Sequence, residues 1–316
     1  MPTHVSPDNF NRAETDMYFA NLVNDGAFGA FEHYRTVMPI ERQTVIRANR
    51  DTLYSAAVFD LDAGPVTITL PNAGSRFMSL QVIDEDQYAV AVVYGAGSYT
   101  LVREKIGTRY VLVAVRTLVD PKDPDDLARV HELQDAITVR QKNHGQFEVP
   151  DWDPASRKKV HDALLLLGET LPDSHDMFGP RSKVDPIRHL IGSAMAWGGN
   201  PESDALYLNA TPAENDGETI HRLVVKDVPV DGFWSISVYN AEGYFEKNPF
   251  DAYTINNLTA VPEADGSIVV QFGGEARDPH VNWLPITPGW NYIVRLYRPR
   301  AEILDGTFTF PEAQPI

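Results

Sequence analysis

Hydrophobic and polar positions alternate with a period of two along much of the chain, and that period predicts strands. Val66-Thr67-Ile68-Thr69-Leu70 is the cleanest case, with Gly64-Pro65 before it and Pro71-Asn72 after it. Similar runs follow at 77–83, 88–94 and 110–117, and Gly95, Gly97 and Gly107 punctuate the gaps. Short β-rich runs without intervening helices predict an antiparallel sandwich or barrel. From about 120 to 199 the period changes. Leu127, Val130, Leu133 and Ile137 fall on one helix face behind Asp123-Pro124, an N-cap followed by proline at the first helical position. Asp153-Pro154 stands ahead of Val160, Ala163, Leu164 and Leu167 in the same way, and Asp185-Pro186 opens a third helix that ends near Gly198-Gly199. A further helix is expected around 12–22.

From 201 onward strands return, at 219–225, 233–239, 267–272 and 290–297, with Asp265-Gly266 as a hairpin turn. No helix is expected in this stretch. The expected fold is mainly β with a helical segment and two antiparallel β-sandwich domains. Its parts are a helical N-terminal segment over 1–35, a sandwich over 36–119, a helical connector packed on the sandwiches over 120–200, and a second sandwich over 201–316.

The length of 316 residues suits about two domains, and 43% apolar with 22% charged residues is an ordinary soluble composition. The chain has no cysteine, which excludes a disulfide framework, thiolate catalysis, thiolate zinc sites and iron–sulfur ligation. Its 27 basic and 44 acidic residues leave a net charge of −17. A field of that sign repels phosphate backbones and anionic headgroups, so neither nucleic acid nor membrane is an expected partner. The start, MPTHVSPDNFNRAETD, lacks the basic and apolar regions of a signal peptide, and no apolar run reaches the ~18 residues of a spanning helix. A cytoplasmic location is expected.

Most motif searches are empty. There is no G-x-S-x-G elbow, no phosphate-binding loop, and no dinucleotide fingerprint; Gly95-Ala96-Gly97 lacks the third glycine and the helix. The nine histidines, His4, His33, His131, His144, His161, His175, His189, His221 and His280, form no H-x-H or H-E-x-x-H pair. A zinc site would need ligands from distant segments. His131 and His161, on predicted helices, read as surface or boundary residues. No cofactor is expected. Three acidic pairs, Asp60 with Asp62, Asp84 with Asp86, and Asp151 with Asp153, lack the rest of a calcium loop and read as solvated turn carboxylates.

Three clusters remain. In Asn49-Arg50-Asp51-Thr52-Leu53-Tyr54-Ser55, strongly polar residues open a strand. Alternation puts Asn49, Asp51, Leu53 and Ser55 on one face and Arg50, Thr52 and Tyr54 on the other. An aspartate beside an arginine is either a structural ion pair or a tuned acid–base group, and composition favours a polar network that locks the strand's entry. In the second cluster, 232–240, Trp234, Ile236 and Val238 read as core. Phe233, Ser235, Ser237 and Tyr239 share the other face, which suits a metabolite- or sugar-binding surface or a second sheet interface. The third is Asn282-Trp283-Leu284-Pro285, with Arg295 and Tyr297 on the following strand. An arginine inside a central strand needs a partner, for which Asp51 is a candidate.

The same clusters carry a resemblance. NRDTLYSAAVFDLDAGPVTITLP resembles the first half of a bacterial tandem family, and GFWSISVYNAEGYFEKNP, DGSI, NWLP and RLYRPRAEILDGTFTFPEAQP resemble its second half. The two halves are DUF1254 and DUF1214, domains of unknown function. The resemblance implies an N-terminal β-sandwich, a mostly helical segment and a C-terminal jelly roll, and relatives of this kind are often exported. Matched onto the family's motifs, the residues of interest are Asn49, Asp51, Thr52 and Tyr54, then Trp234, Ser235, Tyr239, Asn282, Trp283, Arg295 and Tyr297.

Three functional expectations follow. The first is a metal-independent acid–base enzyme, a hydrolase, lyase or isomerase, acting on a small polar metabolite between the domains. In it Asp51 is the acid or base, Tyr54 or Tyr239 the relay and Arg295 the anchor, with Asn49, Arg50, Thr52, Trp234, Ser235, Asn282, Trp283 and Tyr297 around the ligand. The second is a glycan- or metabolite-binding protein that stacks its ligand on Trp234, Tyr239 and Trp283. The third is a scaffold whose sandwiches build a homo-oligomer. All three expect self-association.

Overall fold

A computed structural model describes residues 1–43, 45–275 and 282–316. By its internal contacts the chain forms two units. The first comprises Met1–Arg35, Tyr54–Thr117 and Ala128–Glu202; the second comprises Thr36–Leu53, Leu118–Leu127 and Ser203–Ile316. The described chain is mainly β, with six α-helices, and none of its sheets closes into a barrel.

In the first unit the elements run α1 (Phe10–Asn24), β1 (Glu32–His33), β2 (Thr52–Asp60), β3 (Val66–Leu70), β4 (Met78–Asp84), β5 (Ala89–Tyr94), β6 (Gly97–Leu101), α2 (Arg103–Ile106), β7 (Tyr110–Leu118), α3 (Pro124–Asp135), β8 (Thr138–Gln141), α4 (Pro154–Gly168) and α5 (Pro186–Met195). The first residues of β2 and α3 and the last of β7 fall in the second unit. A five-stranded sheet has the order β1-β2-β7-β4-β5, and a three-stranded one the order β6-β3-β8.

Strand β7 is almost continuously apolar because both of its faces are covered. Val111, Val113 and Val115 join Phe59, Ile68 and Leu80 in one core; Tyr110 and Leu112 meet Phe19 of α1, Val58 and Ile83 in another. Strand β3 buries Val66, Ile68 and Leu70 and turns Thr67 and Thr69 outward, as its alternation requires. The aspartate caps are present: Asp153 accepts from the backbone N–H of Ala155 and Ser156, and Asp185 from those of Ile187 and Arg188. Strand β8 was not anticipated. Four residues directly after a helix leave too short a period to detect, and the strand is held by pairing with β3.

The second unit adds β9 (Ala205–Ala210), β10 (His221–Val225), β11 (Trp234–Tyr239), β12 (Thr254–Asn256), β13 (Ile268–Phe272), β14 (Trp283–Leu284), β15 (Asn291–Tyr297), α6 (Ala301–Leu304) and β16 (Gln314–Pro315). Its sheets are β14-β13-β10-β16 and β12-β11-β15-β9, antiparallel except for β13 with β14. One core draws on both: Leu223, Val270 and Phe272 from the first sheet, with Trp234, Ile236, Tyr292, Val294 and Leu296 from the second. The single turn of α6, built from good helix formers, interrupts a stretch expected to hold strands alone. Among the described residues no helix is long and apolar enough to cross a membrane.

Candidate functional site

Strands β11 and β15 are buried on both faces. Their even-numbered residues fill the apolar core, so the odd-numbered face must satisfy whatever polar groups it carries. The register sets Ser235 opposite both Asn256 and Arg295, and Ser237 opposite Thr254 and Ile293. Arg295 is only 3% exposed. Its Nη1 donates to Ser237 Oγ at 2.8 Å; its Nη2 is shared among Tyr239 Oη at 2.8 Å, Arg47 O at 2.8 Å and Ala48 O at 3.2 Å. Tyr239 Oη donates in turn to Ala48 O at 2.8 Å. Burial disfavours the guanidinium charge, but Tyr239, Tyr297 and Asp51 outweigh it and hold Arg295 above its ordinary range. Burial likewise pushes the Tyr239 phenol up.

Asp51 is completely buried. Its Oδ1 accepts from Thr254 Oγ1 and Asn256 Nδ2, both at 2.9 Å, and its backbone N–H donates to Asn49 Oδ1 at 2.7 Å. Ser237 Oγ donates to Thr254 Oγ1 at 3.1 Å. Arg295 therefore reaches Asp51 through Ser237 and Thr254 rather than by a direct ion pair. Among the described residues Asp51 Oδ2, the hydroxyl of the fully buried Ser235 and Arg47 Nε have no hydrogen-bond partner. Each costs about 1–3 kcal/mol if left unpaired.

The network thus unites Asp51, Tyr239 and Arg295, and the register sets Ser235 opposite Asn256 and Arg295 beside it. Asn49 extends it, donating to Tyr297 Oη at 3.1 Å and to Thr52 Oγ1 at 3.4 Å, while Tyr297 stacks on Phe233 at 4.3 Å. The remaining sequence candidates stand apart. Arg50 donates to Met38 O, lies 5.0 Å from the Tyr253 ring centroid and 3.8 Å from Asp251. Tyr54 belongs to the first unit, with the Arg116 guanidinium 5.4 Å from its ring centroid. Asn282 is consumed by backbone bonds to Val261 and Val269, and Trp283 Nε1 donates to Gly273 O. Trp234 lies in the apolar core and the Tyr239 ring is buried, so neither presents an open face for stacking a ligand. Ser237 lies on the β11 face that its alternation marks; Thr254 and Asn256, on β12, complete the network without a local pattern to mark them.

The first unit holds a second polar cluster that sequence reasoning missed. Asp84, expected as a solvated turn carboxylate, is buried, as is Asp60, which pairs with Arg109 at 2.9 Å; Asp62, Asp151 and Asp153 are not buried. Asp84 does cap its turn, accepting from the N–H groups of Asp86 and Tyr88, but it is buried, and burial pushes it up to about 7. Asp16, on α1, is also raised to about 7, by burial first and by the neighbouring Glu85 charge. Its Oδ2 accepts from Trp152 Nε1 at 2.8 Å, and its Oδ1 has no partner among the described residues. Arg12 lies 2.8 Å from Asp86 and 3.8 Å from Glu85. Among the described residues no group of three or more metal-ligating side chains could hold an ion; His280 lies outside them.

Two family models match the chain. Residues 28–141 match the DUF1254 model and residues 204–301 the DUF1214 model, each described as a protein of unknown function. The chain is a tandem DUF1254–DUF1214 protein. Arg295, Tyr239 and Ser235 fall within the DUF1214 match, and Asp51 within the DUF1254 match. No curated protein matches this DUF1254–DUF1214 chain. Among solved structures it is similar to the VPA0106 protein from Vibrio parahaemolyticus, at 16% identity and a TM-score of 0.72, covering 97% of this chain and 96% of that one. It is also similar to an uncharacterized protein from Burkholderia cenocepacia, at 14% identity and a TM-score of 0.55, covering 98% and 86%. At such identities the likeness establishes a shared fold.

Proposed function

We propose that the chain acts on a small polar metabolite at the Asp51–Ser235–Arg295 network, by metal-independent proton transfer of the kind a hydrolase, lyase or isomerase uses. One observation carries this reading: Asp51 Oδ2 and Ser235 Oγ are fully buried and unpartnered, beside a buried arginine. With Oδ1 held by Thr254 and Asn256, Oδ2 is the oxygen left to take or give a proton. The Ser235 hydroxyl can donate or accept a bond to the ligand. Arg295 plays another part than the anchor first expected. Its Nη groups are engaged by protein acceptors, so it positions Ser237 and Tyr239. A ligand reaches the pair by displacing Arg47 and Ala48, whose carbonyls lie on Arg295.

The same reading takes each unit as a β-sandwich, the second jelly-roll-like, in a cytoplasmic homo-oligomer. The core shared by the two sheets of the second unit supports the sandwich. The test is a thermal-shift screen of metabolites, sugars, lactones and esters on wild type and Asp51→Asn, which keeps the Oδ1 acceptor. A ligand at a hundred times its dissociation constant adds about 2.7 kcal/mol. A compound that raises the melting temperature of wild type but not of the folded variant supports the site. If none does, and Asp51→Asn melts well below wild type, the network is a structural clamp.

A further inference from the structure

A separate feature of the first unit points to an anion. An open surface hollow of about 670 Å3 is lined by Gly29, Val139, Arg140, Lys142 and His144 among others, and no carboxylate lines it. The volume falls within the range of small-molecule sites. In a chain of net charge −17, most cations are expected to find acidic partners. Yet the side chains of Arg140, Lys142 and His144 have no ion pair or hydrogen bond among the described residues.

The wall that carries them is anchored at both ends. Gln141 Nε2 donates to Asp60 O at 2.8 Å and Gly64 O at 3.0 Å. Beyond the turn, the Gln146 carbonyl accepts from Tyr110 Oη at 2.7 Å and Arg109 Nη2 at 3.2 Å. Asp60, the carboxylate packed against Gly145, is already neutralised by Arg109. The His144 ring lies against Gly29, so closely that a Cβ there would fall 2.3 Å from Nδ1. Arg140 in β8, and Lys142 and His144 just beyond it, thus sit on a braced segment, and no carboxylate is among the residues that line the hollow.

We propose that this hollow binds a small phosphate-bearing anion, with Arg140 and Lys142 supplying charge-assisted hydrogen bonds and His144 a third donor. Arginine's planar fork matches phosphate oxygens, and desolvating the anion is cheap at an open site. The experiment is a titration of the isotope-labelled full chain with inorganic phosphate at constant ionic strength, followed by amide chemical shifts. Saturable shifts centred on Gly29, Val139 and Lys142 are expected. They should weaken about tenfold or more in the double variant Arg140→Gln/Lys142→Gln, whose exposed side chains can change without touching the core. Identical curves for variant and wild type, or shifts that chloride reproduces, would overturn the proposal. Equal affinity for succinate would overturn the assignment to phosphate.

Discussion

Replacing Asp16 by asparagine should change the sign of its effect with pH. Asp16 is buried on α1, bonded among the described residues to Trp152 Nε1 alone, and its carboxyl is raised from 3.8 to about 7. Between those values the folded chain keeps a proton that the unfolded chain has released. Stability therefore falls as pH rises through the window and is lowest above it. Each pKa unit is worth about 1.4 kcal/mol, so the whole span amounts to about 4 kcal/mol at most. Asp16→Asn keeps an acceptor for Trp152 and removes the charge. It also adds an amide N–H where Oδ1 has no partner, at about 1–3 kcal/mol. The variant should then be less stable than wild type by about 1–3 kcal/mol near pH 4, and more stable by a similar amount at pH 8. Urea midpoints of both proteins at unit pH steps read this directly. Asp84, also raised to about 7, adds its own slope to both proteins, so the difference between them is the quantity to follow. A difference that stays constant from pH 4 to pH 8 would refute the reasoning: Asp16 would then be ionised throughout and compensated by Arg12.

Arg295→Met should be far more damaging than an exposed arginine change. It strands Ser237, Tyr239 and the carbonyls of Arg47 and Ala48, and about 3–5 kcal/mol of stability should be lost, visible as a fall in melting temperature. A loss under ~1 kcal/mol would mean that these acceptors find other donors. Asp185→Ala removes the two capping bonds of α5 and should cost about 1 kcal/mol, measured by urea unfolding; Asp185→Asn should recover most of it.

What could be seen in the sequence was whatever a local period or a local cap encodes. The alternation in β3 and the aspartate–proline starts of α4 and α5 work through neighbours a few residues apart, and they are present in the fold. Burial from afar is different. Asp84 has the spacing of a turn carboxylate and does cap a turn, but its raised pKa comes from packing that no nearby residue announces. The same holds for Asp16, whose hydrogen-bond partner Trp152 is distant in the chain.

The arginine network shows why a demand is easier to read than its answer. A charged residue inside an apolar strand requires partners, and NYIVRLY states that requirement plainly. An acidic partner was the natural expectation, with Asp51 as the candidate. The acceptors actually used are two hydroxyls and two backbone carbonyls. Carbonyls belong to every residue, so nothing in the identity of Arg47 or Ala48 marks them for this task. Asp51 stays two hydroxyls removed, reached through Ser237 and Thr254, with one oxygen uncommitted. A direct pair with Arg295 would have engaged the second carboxylate oxygen as well, whereas the indirect route, which the sequence pattern could not disclose, leaves Oδ2 without a partner among the described residues.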